Sequence, residues 1–150
     1  MATTQPDSAS SASVEATGLQ RSDQILAAAI EVFSAKGFAN TDVQEIANRA
    51  GVGKGTVYRH FGTKEGLFLA AADQGVKQLR AAIDAAVERV TDPLDRLRAA
   101  TFAFLTFFDA HPELVELVIQ ERAHFRDRET PTFFYRKCDN DQAQRWREDL

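Results

Sequence analysis

Residues 41–64, TDVQEIANRAGVGKGTVYRHFGTK, decide the fold. The run reads as a helix, a tight turn, a short second helix and the start of a third. Thr41 is suited to cap the first helix, and Gln44 three residues on completes a capping box. Val43, Ile46, Ala47 and Ala50 then share one apolar face at helical spacing. Gly51 falls where a helix ends in a left-handed residue. After Val52 and Gly53, the segment Lys54–Phe61 has room for about two turns. A helix that short does not persist alone in water, so it must dock on its neighbours, and Val57 and Phe61 are the pair to dock it.

With that pair facing inward, Gly55 and Arg59 point directly outward at about 100° per residue. Thr56 and Tyr58 flank them, with Lys54 and His60 nearer the edges. Glycine inside a helix costs about 1 kcal/mol against alanine; on the outermost line it makes sense where another surface approaches the backbone closely. Around it stand an arginine, a lysine, a histidine and two hydroxyls, all donors to phosphate or base edges. These are the physical requirements of a helix-turn-helix. An ordinary helical hairpin with a polar outer face satisfies the same spacing, and the spacing leaves both open.

The run GFANTDVQEIANRAGVGKGTVYRHFGTKEGL, residues 37–67, resembles the DNA-binding domain of the TetR/AcrR family of transcriptional repressors. Upstream, ILAAAIEVFSAKG, residues 25–37, resembles that family's first helix. The likeness extends from Arg21 to about Phe68. Gly53 departs from the family's usual serine, but glycine caps a helix almost as well. The resemblance implies an all-α protein: an N-terminal three-helix DNA-binding domain, then a helical effector-binding and dimerisation domain. It implies a ligand-responsive repressor that binds a palindromic operator as a homodimer. Lys54, Gly55 and Arg59 would enter the major groove, while Thr56, Tyr58, His60 and Lys64 would hold phosphates. Thr41 and Gln44 complete the DNA-facing set, with Gln44 reaching a base edge or occupied in its capping box.

Composition agrees with an ordinary globular chain: 44% hydrophobic and 27% charged residues in 150. No apolar run approaches the roughly 20 residues of a membrane span, and no secretory signal opens the chain. A single cysteine, Cys138, allows no internal disulfide and fits a reducing cytoplasm. The net charge of −4 is unevenly spread: residues 21–65 hold six basic and five acidic side chains, while residues 66–150 hold twelve and fifteen. The small excess of positive charge lies on the motif, so non-specific electrostatic binding should be modest.

Residues 1–20 are rich in Ser, Thr and Ala and read as a disordered arm. A helix from Arg21 or Ser22 to Lys36 carries Ile25, Leu26, Ala29, Val32 and Phe33 on one face. With the motif it makes a DNA-binding domain over 21–65, followed by an effector domain over 66–150. Thr63 caps a helix running to about Val90, roughly 40 Å long, apolar along Phe68, Ala72, Val76, Leu79, Ile83 and Val87. Asp92-Pro93 opens the next, with Leu94, Leu97, Thr101, Phe104, Leu105 and Phe108 as its expected core stripe. His111-Pro112 opens another, and Thr130-Pro131 a last one with Phe133, Phe134, Tyr135 and Trp146. The charged, unpunctuated end QAQRWREDL reads as a domain cut short.

No paired carboxylates, Ser-His-Asp arrangement, phosphate-cradling loop or metal-spaced cluster stands out, so neither an enzyme nor a cofactor or metal is expected. The downstream aromatics suit core, pocket or dimer surface, with plain core packing the leading reading for any one of them. Family resemblance adds a cavity for a small apolar or aromatic inducer. Arg98 and Thr101, polar groups on or beside an apolar stripe, with Phe104, Phe108 and Phe125, are the candidate ligand residues. A rival reading is a protein-interaction module that the helix-turn-helix recruits to DNA; a small helical enzyme is a distant third.

Overall fold

The computed structural model describes the backbone of residues 8–125, with side chains from residue 18. Expectations for residues 126–150, including the last helix, Cys138 and the truncated end, lie outside the described residues. Among the described residues six helices and no strand are formed: α1 Ser8–Lys36, α2 Val43–Arg49, α3 Lys54–Phe61, α4 Lys64–Val87, α5 Pro93–Ala110 and α6 Pro112–His124. The all-α expectation holds.

α1 is the central post. Its face of Ile25, Leu26, Ala29, Val32 and Phe33 is buried as the periodicity predicts, and α2, α4 and α6 all pack against it. It starts at Ser8 rather than near Arg21, so residues 8–20 are helical where composition suggested an arm. The stretch contains no proline to stop a helix propagating backward from residues 21–36, and a composition argument about burial does not see that.

α4 leads away from α2 and α3, together called the head, its N-cap Thr63 accepting from the Gly66 N–H. Leu67, Phe68, Ala71, Ala72, Gly75, Val76 and Leu79 form its buried side. Asp92 caps α5 through the N–H groups of Leu94 and Asp95, with Pro93 in the first turn. α5 departs from expectation in which side it buries. It docks on α4 with Ala100 and Phe107 inward, while Leu94, Leu97, Phe102, Phe104 and Leu105 are exposed. α5 is apolar around most of its circumference, so more than one of its sides is able to dock. α6 closes the bundle with Leu114 and Leu117 buried.

Candidate nucleic-acid interface

Val57 is buried and Phe61 half-buried, so α3 is docked as its spacing requires. The other side of α3 is presented outward: Gly55, Tyr58, Arg59 and His60 are exposed, and Lys54 and Thr56 half-exposed. A side chain added at Gly55 would meet nothing within 4 Å, so a docking surface can approach the backbone there. The Arg59 guanidinium reaches back only to Thr56 Oγ1, at 3.5 Å.

Two connections fix α3. Before it, α2 ends at Ala50 and Gly51 takes φ +68°, as foreseen. After it, the chain reverses within Gly62 and Thr63. Gly62 has φ +74° and ψ −64°, and the Thr63 N–H donates to the Phe61 carbonyl at 2.8 Å. That is a γ-turn of the strained, rarer hand, which glycine alone adopts at low cost.

The start of α2 differs from the capping-box expectation. Asp42, not Thr41, is the N-cap, its carboxylate accepting from the Gln44 N–H at 2.9 Å. Thr41 is buried and donates its hydroxyl to the Gly37 carbonyl at 2.8 Å. Its hydroxyl closes the α1–α2 turn, and its side chain lies under the surface rather than on the exposed face. Gln44, released from capping, is exposed and donates to Asn48 Oδ1 at 2.8 Å. Asn48 therefore joins the outer edge, a residue the motif reading passed over although its i+4 spacing from Gln44 was legible.

The electrostatics of this surface are restrained. Asp42 Oδ1 also accepts from Lys54 Nζ at 3.0 Å. Lys36 pairs with Glu45 and Arg49 with Glu31, each at 2.7 Å. The Gln44 N–H first, and then Lys54, hold the Asp42 carboxyl below its ordinary value of 3.8, while Asp42 raises Lys54. The cap and pair at Asp42 therefore contribute fully above about pH 3.8 and are lost as pH falls through the lowered folded value. Lys64 is also engaged: its Nζ donates to the Ala39 carbonyl at 3.3 Å and sits 4.9 Å from the centroid of the Phe38 ring.

Asp42→Asn tests the restraint. Asparagine caps as well as aspartate, so thermal stability at neutral pH should hardly change. Lys54 is freed and a negative charge leaves the outer face, so DNA affinity should rise and its salt dependence steepen. An affinity that falls would place Asp42, not Lys54, in the productive contact.

The candidate ligand residues separate. Arg98 pairs with Asp95 at 2.9 Å on the exposed side of α5, and the Thr101 hydroxyl donates to the Leu97 carbonyl at 2.8 Å. Phe104 is exposed and meets Phe108 edge-on, with ring centroids 5.0 Å apart. Phe125 packs far from these, stacked on Phe68 and edge-on to Phe38 beneath the head. An apolar recess between α4, α5 and α6 is lined by Val76, Leu79, Phe107, Phe108, Leu117 and Val118 among others. Of the five candidates, Phe108 alone lines it. Among the described residues no cluster of metal-ligating side chains is formed, and no helix is long and apolar enough to cross a membrane.

Residues 25–71 match the family model of bacterial regulatory proteins, tetR family. The chain is similar to the HTH-type transcriptional activator FasR of Mycolicibacterium smegmatis, 38% identical over 101 residues that cover 67% of this chain and 46% of that protein. It is similar to the HTH-type transcriptional repressor NicS of Pseudomonas putida, 29% identical over 102 residues covering 68% and 48%. A solved TetR-like transcriptional regulator from Rhodococcus sp. RHA1 superposes with a TM-score of 0.64 at 28% identity, over 85% of this chain and 64% of that one. The chain spans about half the length of the curated relatives it matches.

Proposed function

The chain belongs to the tetR family of bacterial regulatory proteins, and from that premise we propose that it is a DNA-binding transcriptional regulator in the cytoplasm, a ligand-responsive repressor acting as a homodimer on a palindromic operator. The observation that carries the reading is α3, docked by Val57 and offering Lys54, Gly55, Thr56, Tyr58, Arg59 and His60 on its outer side. Lys54, Gly55 and Arg59 face the base edges, Gln44 and Asn48 border them, and Thr56, Tyr58, His60 and Lys64 meet the phosphates. Two heads related by a two-fold axis would need half-sites about 34 Å apart or a multiple of that. The α4–α5–α6 recess as it stands has room for little more than a water molecule, so an apolar inducer would have to part these helices, and it would shift the balance by its differential affinity for the opened conformation.

Selection of bound sequences from random DNA tests this reading, with a palindrome as the expected result. On the recovered site, Arg59→Ala should cost about 1–3 kcal/mol and relax preference at one position, whereas Lys64→Ala should weaken all sequences alike and lower the salt slope by about one. Equal losses on every sequence for Arg59→Ala would remove it from base reading.

The exposed Leu94, Leu97, Phe102, Phe104 and Leu105 of α5 favour a second reading, in which the helices beyond the head bind a protein partner and the head recruits it. Recovery of single, unpaired half-sites would support that reading over the homodimeric repressor.

A further inference from the structure

Gln120 is a polar residue on an otherwise core-facing side of α6, and it is 7% exposed. Its carboxamide straddles the reversal that leads from α1 into the reading head. Oε1 accepts from the Phe38 N–H at 2.9 Å, and Nε2 donates to the Phe33 carbonyl at 3.2 Å and to Glu116 Oε1 at 3.0 Å. Between the two backbone groups lies Gly37, at φ +81°, whose N–H closes the last turn of α1 on the same Phe33 carbonyl. The amide orientation is fixed by its partners, since a flipped group would set donor against donor at Phe38 and acceptor against acceptor at Phe33. One side chain of α6 thus holds the backbone on both sides of the turn.

The same helix lines the recess. Leu114, Leu117 and Val118 face it from α6, and α6 sits tightly on α4: a Cβ at Gly75 would come within 2.6 Å of Leu114 Cδ2. The contact is with the tip of the Leu114 side chain, so a group added there is relieved by rotation of Leu114 or by displacement of α6. On the other side, the ring of Phe38 touches Phe33, Phe68, His124 and Phe125 and carries the Lys64 ammonium over one face. Apolar side chains slide past one another at small cost. A buried amide with two directional backbone bonds does not, because displacement leaves the Phe38 N–H without its acceptor.

We propose that Gln120 is the positioning residue that couples α6 to the reading head, so that a displacement of α6 is converted into a displacement of the α1–α2 turn. The coupling runs through α1 and the turn, in parallel with the direct α4–α3 connection. It deepens the regulatory reading and rests on it for its biological use. The clamp itself can be measured without DNA.

The experiment uses the full chain and replaces the unidentified inducer with a built-in wedge. Gly75→Ala adds a methyl group against the tip of Leu114, and Gly75→Val, with two further carbons, takes its place as the wedge if rotation of Leu114 absorbs the methyl. Amide hydrogen exchange at Phe38 is followed in the parent, Gly75→Ala, Gln120→Leu and the double variant, with the Leu67 amide as the reference for global opening. In the parent background Gly75→Ala should speed Phe38 exchange about fivefold relative to Leu67, the order expected for loss of one net hydrogen bond. Gln120→Leu should speed it similarly, and adding Gly75→Ala to it should change little further. Gln120→Met, uncharged and close to glutamine in volume, removes the same bonds and serves if the leucine variant does not fold. Additive effects in the double variant, or Phe38 protection unchanged by Gln120→Leu or Gln120→Met, overturn the proposal. Operator affinity of the same variants is read separately: a clamp that behaves as expected in a protein that selects no DNA sequence would sink the function while leaving the coupling in place.

Discussion

Phe68→Ala is expected to destabilise the chain by about 3–5 kcal/mol, the range for truncating a fully buried phenylalanine. Phe68 is 0% exposed, and its ring lies 5.1 Å from Phe33, 5.2 Å from Phe38 and 5.7 Å from Phe125. Those partners belong to α1, the α1–α2 turn and the end of α6, so this ring joins the reading head to the body of the protein. Edge-on and offset aromatic pairs add to the area they bury, and three such pairs vanish together. A cavity at that junction also loosens the surroundings of Gln120 and Lys64. Urea unfolding is the measurement, with the midpoint falling and the slope unchanged if native and unfolded states stay equally compact. A loss below about 1 kcal/mol would mean that the surroundings collapse into the space, and that the cluster does not hold head and body together.

The reading head was legible because its signals are local. Gly51, Val57 and the outward line of Gly55 and Arg59 each follow from spacing over a few residues, and each is placed as expected. Thr41 and Asp42 show the limit of such signals. Two adjacent residues both suit an N-cap, and the choice falls to Asp42 because the Thr41 hydroxyl is engaged with the Gly37 carbonyl. On α5 the limit is different. The stripe with the largest side chains, Leu94, Leu97, Phe104 and Leu105, is not the one that docks on α4. Hydrophobic mass tells that a helix has something to bury, and the shape of its neighbour decides which side goes in first. Gln120 lay beyond any spacing argument. Its partners are backbone groups of Phe38 and Phe33, 82 and 87 residues away in sequence, and backbone groups carry no residue signature.

Two glycines of the head should respond to alanine in opposite ways, and Gly66 has the larger effect. A Cβ at Gly66 would lie 2.3 Å from the Phe61 carbonyl oxygen. That oxygen is backbone, and it is already held by the Thr63 N–H in the γ-turn around Gly62, so it cannot rotate aside. Relief requires the last turn of α3 to move away from the first turn of α4, which tilts the outer face carrying Tyr58, Arg59 and His60. Overpacking of this kind costs about 1–3 kcal/mol, offset in part by alanine's helical preference of up to about 1 kcal/mol. Gly66→Ala should therefore lower the unfolding midpoint and abolish selective DNA binding together. Gly55→Ala meets open space, so it should leave the stability unchanged or raise it by up to about 1 kcal/mol. Its methyl group would stand on the surface offered to DNA, and affinity should fall although the fold is firmer. Thermal unfolding and operator titration of both variants make the comparison. If Gly55→Ala binds DNA as tightly as the parent, the closest approach of the duplex lies elsewhere on α3, and the assignment of Gly55 to the groove fails.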